Sequence, residues 1–551
     1  MKSEISEIIK KACKSQFSVD VDPNINRPET QFGDFSTNVA MQLAQSLHKS
    51  PMDIADALVG HLKDLNKFSD VKSVSPGFIN IKLQDSDLLA ILNQPLVWEQ
   101  TNTNKQILVE YGDPNAFKEM HLGHVYSSIT GDVICSLLKS SGAEVKSLIY
   151  QGDVGLNIAK GIYGIGEYIN WDISLLKTVG SEKSIGYFYT EGEKAYNTDP
   201  AATERIKMIN NSVYKKDDKL INDIYDYGKK MSFDGFDQIF KEIGVHFDKR
   251  YVESQSAIIG KQLVEQNIGK VFEKSEGAVI YRGEQDGLYT AVFITSQGLP
   301  TYQAKDLGLT ELKIKDFPDS NLSIIITANE QVDNFKVVLA ALAKFSPEVA
   351  KKTMHLSHGF LSLTTGKMSS RTGDVYSGTE LISSIKKAVQ DQYPDSKVKN
   401  EIFIAALRYT FIKQRIGNDI VFNPKESVTI EGNSGPYIQY AHARAKNILV
   451  KIKHLQSEVN LKDNDLEEDE RDLIALMSQF SEIVTQSIVE YMPHYICTYL
   501  YQLAQEFNSF YEKNRVVGDR RENLRAQIIK YYVNILKTGL DLLHIPAPDY
   551  M

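Results

Sequence analysis

The chain has 551 residues, 42% of them apolar and 24% charged, the make-up of a folded polypeptide of about three or four domains. No apolar run approaches the ~20 residues of a membrane helix, and a net charge of −9 argues against a general nucleic-acid coat protein. Cys13, Cys135 and Cys497 lie far apart with no C-x-x-C pair, which excludes a disulfide scaffold or a cysteine-rich zinc site and fits a reducing cytoplasm.

Residues 1–100 read as a small mixed domain. Helical spacing over 4–14, 39–47 and 54–65 frames the segment Phe32-Gly33-Asp34-Phe35, and residues 77–83 alternate as a strand. Ile5, Ile8, Ile9 and Ala12 have helical spacing, but Glu4 and Glu7 interrupt the basic face, unlike an export or organelle signal. A polar linker at 99–105 leads to a strand at 107–111, a loop at 112–120, a helix at 121–139 and a strand at 144–150. That alternation predicts a parallel sheet with crossover helices. Residues near 171–241 are polar and helical, an insertion; sheet-like runs resume at 291–294 and 323–328. After about Val375, apolar residues recur every three or four positions, as in Leu473, Leu476, Met477 and Phe480, which predicts a helical bundle. Its acidic connector, 463–470, reads as a solvated loop.

Two segments carry chemistry. The loop 112–120 follows a strand and opens a helix at His121-Leu122-Gly123-His124, where free N–H groups and the helix dipole suit a phosphate. The two imidazoles share one face, and Gly123 leaves room for a flat base. About 250 residues later, Gly366-Lys367-Met368-Ser369-Ser370-Arg371-Thr372-Gly373 combines two cations with three hydroxyls between glycines. It is not a Walker loop, and Gly164-x-Gly166 lacks the third glycine of a dinucleotide fingerprint. His355-x-x-His358 reads as structural.

Together, in this order and spacing, the two segments resemble the HIGH and KMSKS signatures of class I aminoacyl-tRNA synthetases. Finer matches resemble the arginyl-tRNA synthetase family. Its pattern E-x-x-x-P-N-x-x-K-x-x-H-x-G-H is met by Glu110, Pro114, Asn115, Lys118, His121, Gly123 and His124. Glu253-Ser254, residues 301–306, residues 432–444 and the C-terminal Leu542-Leu543-His544-Ile545 also look like this family, as do Phe32 to Phe35 and Asn38.

The resemblance implies an α/β chain with a Rossmann-like catalytic domain at 101–375, preceded by an α+β tRNA-elbow domain at 1–100 and followed by an all-α anticodon-binding bundle at 376–551. It implies ATP-dependent activation of arginine and transfer to the terminal adenosine of tRNA(Arg). ATP would enter with Mg2+ as a substrate complex, with no tightly bound cofactor and no protein metal site. His121, His124, Lys367 and Arg371 would be catalytic. ATP would also meet Pro114, Gly123, Met368 and Ser369. The usual second KMSKS lysine is Ser370 here, and Lys118 is the candidate to restore that charge. Glu110, Asn115, His121, Glu253, Tyr302, Asp306 and Gln331 would bind arginine, with Tyr302 and Asp306 on one helical face. Phe32, Phe35, Asn38 and Gln42 would reach the tRNA elbow. Tyr437, Arg444, Tyr550 and Met551 would read the anticodon region, with Tyr440, Tyr491, Tyr495, Tyr499, Arg515, Arg520, Arg521 and Arg525 as further candidates. The short insertion implies no editing domain. A cytoplasmic monomer is expected; a catalytically impaired tRNA-binding paralogue is the alternative.

Overall fold

The structure, a computed structural model, describes residues 1–179, 184–363, 377–452 and 466–551. The first unit contains α1 (Lys2–Phe17), β1 (Ile25–Asn26), β2 (Phe35–Thr37), α2 (Val39–Leu47), α3 (Pro51–Asp64), β3 (Phe68–Val74), β4 (Phe78–Leu83) and α4 (Asp85–Ala90). Its strands form an antiparallel sheet in the order β1-β2-β4-β3. The alternation expected at 77–83 is real: Ile79, Ile81 and Leu83 point into the core. β3 has no clean alternation, so its sequence does not announce it.

The central layer is a parallel sheet built from β5 (Gln106–Glu110), β6 (Glu144–Gln151), β7 (Lys249–Val252), β11 (Leu322–Ala328) and β12 (Thr353–His358), in the order β12-β11-β5-β6-β7. From β5 the chain first crosses through α5 (Leu122–Ser140) to β6, and it later returns to pair β11 on the other side of β5. Strand order therefore reverses at β5, and such a switch point opens a crevice at the carboxyl ends of the strands. After β6, α6 (Leu156–Tyr168) enters the insertion, formed by α7 (Ile185–Thr198), α8 (Pro200–Lys215) and α9 (Lys219–Ile243). These helices share a core of their own around Phe117, Ile162, Phe188, Ile209 and Ile224. Gly164 and Gly166 lie within α6.

Beyond β7, α10 (Glu253–Gln266) is followed by β8 (Glu273–Ser275), β9 (Ala278–Tyr281) and β10 (Ala291–Ile294). The run at 291–294 thus belongs to a separate antiparallel sheet, β10-β9-β8, and not to the central one. α11 (Tyr302–Asp316) packs closely on α10 because Gly260 and Gly308 face backbone: a Cβ on either would meet a carbonyl oxygen at 1.8 or 2.0 Å. α12 (Val332–Phe345) and α13 (Pro347–Lys351) precede β12, and β13 (Leu361–Leu363) follows it.

The last part contains α14 (Gly378–Gln392), α15 (Lys399–Ile412), β14 (Ile420–Phe422), α16 (Pro424–Ser427), α17 (Gly435–Val450), α18 (Glu468–Met477), α19 (Phe480–Val489), α20 (His494–Lys513) and α21 (Glu522–Leu542). Among its described residues the segment expected to be all helical therefore holds a short strand, β14, which pairs in parallel with β13. Three residues are too few to show a period. The acidic connector needs a larger correction. Residues 463–465 lie outside the described residues, but Glu467 caps α18 and Glu470 is fully buried. Glu470 accepts from Arg521 Nε at 2.8 Å and Arg525 Nε at 2.9 Å, while Arg525 also donates to Glu467 at 2.6 Å. A charge run reads as solvated only while its partners, some fifty residues away in the chain, are unknown.

Ion pairs tie the units together. Arg471 donates to Asp34 at 2.7 Å and to Asp85 at 3.1 Å, and Arg27 donates to Glu482 at 2.7 Å. Beneath α5, buried Arg408 pairs with Asp132 and donates to the carbonyls of Ile243 and Leu543, while His544 Nδ1 lies 2.6 Å from the same Asp132.

Candidate active site

A cavity of roughly 460 Å³ opens at the switch point, lined by residues from the carboxyl ends of β5, β6 and β11 and from the starts of α5, α10 and α11. Of the candidates, Glu110, Asn115, Lys118, His121, Gly123, His124, Glu253, Tyr302, Asp306 and Gln331 all line it. Pro114 sits in the same loop, its carbonyl accepting from the Gly152 amide at 3.3 Å.

The histidines are ordered by the helix they begin. His121 is the N-cap of α5, and its Nδ1 accepts from the Gly123 amide at 3.1 Å. His124 Nδ1 accepts from the His121 amide at 3.3 Å, which closes a capping box, and the rings stack with centroids 3.7 Å apart. Burial first, then Lys118 and His358, hold the His121 pKa down to about 4. Burial, His121 and Lys118 push His124 well below the ordinary histidine range. Both rings are therefore neutral near pH 7. With Nδ1 accepting in each, the ring proton resides on Nε2, so each histidine presents a neutral N–H donor suited to phosphate oxygens. Gly123 fits this geometry, since a Cβ there would come within 2.9 Å of the His121 ring.

The acids are less free than their sequence positions suggest. Glu110 is buried against Lys313, and Glu253 accepts from buried Lys305 at 2.7 Å. Burial raises the Glu253 pKa, with Lys305 opposing it; burial also works against the Lys305 charge, but Glu253 wins and lifts that lysine above its ordinary range. Asp306 is different. Its carboxylate accepts only from Asn334 Nδ2, at 3.3 Å, among the described residues, and no cation pairs with it. Burial, then Glu110 and Glu253, push its pKa up to about 8. A planar guanidinium with five donors is the partner such a group lacks. Tyr302 opens α11 one turn before Asp306, as its spacing predicts. Asn115 is placed by a bridge to Gly152, where a Cβ would meet its Oδ1 at 1.9 Å.

Sequence reasoning missed Asn157, Asn334 and the two lysine counter-ions. Lys313 was findable, because it lies two turns after Asp306 on the same face of α11. His358, read as structural, is buried and lines the cavity. His355 does behave structurally, stacking on Phe335 at 4.3 Å and bonding Thr327 at 2.8 Å. Lys367, Met368, Ser369, Ser370 and Arg371 lie outside the described residues, but Ser377, just after them, bridges His121, and the Gly378 amide donates to Met120 at 2.6 Å.

Several RNA candidates need correction. Phe35 is fully buried, with Arg27 stacked 3.8 Å above its ring, so it cannot touch RNA directly; Phe32 and Gln42 are exposed. Asn38 is half-buried ahead of α2. Tyr499 is a core residue whose hydroxyl donates to Leu476, and Arg521 and Arg525 are committed to Glu470. Tyr437 is half-buried, receiving Asn508 Nδ2 at 2.9 Å, and Arg444 donates to the same Asn508 at 3.1 Å. Tyr550 and Tyr440 are exposed and Met551 is partly so.

The model of the class I (R) tRNA synthetase catalytic domain matches residues 87–423, more than half of the chain. The chain belongs to the class I arginyl-tRNA synthetases. The family's N-terminal domain model matches residues 1–83 and the DALR anticodon-binding domain model matches 438–551. The synthetase is 29% identical to the arginine–tRNA ligase of Borreliella burgdorferi, covering 100% of this chain and 98% of that one. It is 28% identical to that of Flavobacterium psychrophilum, over 91% and 90%. Its fold matches the arginyl-tRNA synthetase of Thermus thermophilus with a TM-score of 0.81 and 24% identity, covering 100% of both chains. It is an arginine–tRNA ligase that uses ATP, as class I synthetases do, and no finding favours the impaired paralogue. No helix among the described residues is long and apolar enough to cross a membrane.

Proposed function

We propose that both steps of ligation run in the cavity at the switch point, with the nucleotide on the α5 side and arginine on the α11 side. Asp306 takes the guanidinium, and Glu110 and Glu253, already balanced by Lys313 and Lys305, shape the pocket without adding net charge. Tyr302 and Gln331 border the substrate, and Asn115 turns its amide toward the arginine backbone groups. The arginine carboxylate attacks the α-phosphorus of ATP and pyrophosphate leaves. The Nε2–H donors of His121 and His124 stabilise charge gathering on the phosphate oxygens, chemistry that depends on positioning more than on covalent help. Lys118 adds a cation at the same wall, and Lys367 and Arg371 hold the pyrophosphate. Mg2+ enters with ATP. The 3′-terminal adenosine of tRNA(Arg) then attacks the adenylate and releases AMP.

Phe32, Asn38 and Gln42 are the remaining candidates for the tRNA elbow, and Tyr440, Tyr437, Arg444, Tyr550 and Met551 for the anticodon end. The protein works as a cytoplasmic monomer. A pocket that offers Asp306 without a cationic partner leaves that acid unmatched when a wrong amino acid enters, which supports discrimination without editing.

The observation that carries the reading is the shared cavity: two neutral N–H donors face it from one side, and an acid without a cationic partner faces it from the other. Amino-acid-dependent ATP–pyrophosphate exchange, run with and without tRNA(Arg), tests it. Exchange driven by arginine and by no other amino acid is expected. Exchange with another amino acid would refute the Asp306 assignment.

A further inference from the structure

Lys118 stands out among the lysines near the cavity. Lys160, Lys229, Lys305 and Lys313 are each held by a carboxylate. The Lys118 ammonium has no hydrogen bond or ion pair among the described residues; it rests 4.4 Å from the ring centroid of Tyr189. The nearby acid is occupied. Glu193 accepts from Lys160 at 2.6 Å and from the Tyr189 hydroxyl at 3.0 Å. That hydroxyl also lies 3.4 Å from Asn157 Oδ1, and Asn157 lines the cavity beside Tyr302. On the other side, the loop carrying Lys118 is pinned by the Phe117 amide, which donates to Ser232 of α9 at 2.8 Å.

We infer that Tyr189, on the inserted helix α7, is a positioning residue for adenylate formation, its ring holding the Lys118 ammonium at the cavity wall for a phosphate of ATP. The physical advantage lies in the kind of contact. A carboxylate partner would neutralise the lysine, and the pair would have to break before a phosphate could bind. An aromatic face orients the ammonium and leaves its full charge available. Glu193 serves indirectly, fixing the tyrosine while spending its own charge on Lys160. The insertion thereby gains a part in the chemistry through a residue that acts on Lys118. This inference rests on the reading that Lys118 serves the nucleotide.

The test uses the full-length protein in arginine-dependent ATP–pyrophosphate exchange with tRNA(Arg), comparing Lys118→Ala, Tyr189→Leu, Tyr189→Phe and the Lys118→Ala/Tyr189→Leu double variant. Tyr189→Leu is expected to lower kcat roughly tenfold, the scale of a partly desolvated cation–π contact, with KM for arginine unchanged. Tyr189→Phe keeps the ring and stays within about threefold of the parent. The double variant falls no further than Lys118→Ala alone. Equal loss from Tyr189→Leu in both backgrounds, or equal damage from the phenylalanine and leucine changes, would overturn the inference. Full activity in Lys118→Ala would instead remove the Lys118 reading and the inference with it. Tyr189→Met, with similar reach and apolar cover, replaces the leucine variant if that one does not fold.

Discussion

Arginine binding should release a proton, and Asp306 should be its source. In the ligand-free protein the Asp306 carboxyl has a pKa of about 8, because it is buried and sits near Glu110 and Glu253. At pH 7 a group of that pKa is ionised in roughly one molecule in eleven, and the guanidinium pairs with the ionised form. Affinity should therefore rise close to tenfold from pH 6 to pH 7, about 1.4 kcal/mol, and level off above pH 8. Calorimetry in two buffers of different ionisation enthalpy should count about 0.9 proton released per arginine at pH 7 and about 0.5 at pH 8. Asp306→Asn should bind more weakly by about 1.5–3 kcal/mol and lose the pH dependence. Affinity that stays flat from pH 6 to 9 with no proton released would refute the reasoning. A pH dependence that survives in Asp306→Asn would reassign the proton to Asp113 or Glu253, whose pKa values burial also raises. The sign extends to stability. The folded state holds this proton in a range where the unfolded chain has lost it, so Asp306 makes the ligand-free protein less stable as pH rises from about 4 to about 8.

Four further outcomes follow from the geometry. Replacing His124 by Ala removes one N–H donor and should slow exchange by about 10²–10³, with arginine affinity measured by calorimetry nearly unchanged. With arginine saturating, kcat should show no histidine limb near pH 6.5, because His121 titrates at about 4 and is neutral throughout the working range; a limb there would contradict the neutral tautomers. Gly152→Ala would force Asn115 aside, since its Cβ would lie 1.9 Å from Oδ1, and should raise KM for arginine more than it lowers kcat. Arg408→Met leaves Asp132 buried without its guanidinium, and denaturant unfolding should show a loss of about 3–5 kcal/mol.

The start of α5 was legible because local rules set it. His121 caps the helix, His124 closes the box three residues later, and both are visible in a four-residue string. The same holds for Tyr302 and Asp306, whose spacing already places them on one helical face. The strands β5 and β6 were legible from their apolar runs, whereas β3, β13 and β14 were not, being irregular or too short to show a period.

Pairing was not legible, because a charge carries no mark of its partner. Glu470 looks solvated in sequence and is buried under two arginines; Glu110 and Glu253 look like open acceptors and are already held by lysines of α11. Phe35 and Tyr499 look like stacking rings and are core. By itself, then, the sequence determined the helix that begins at the histidines, the parallel strand order's raw material and the family signature. Which acids and which lysine of the cavity lack a partner of opposite charge among the described residues only the tertiary structure decided, since electrostatic balance is a property of neighbours in space and those neighbours come from helices tens to hundreds of residues apart.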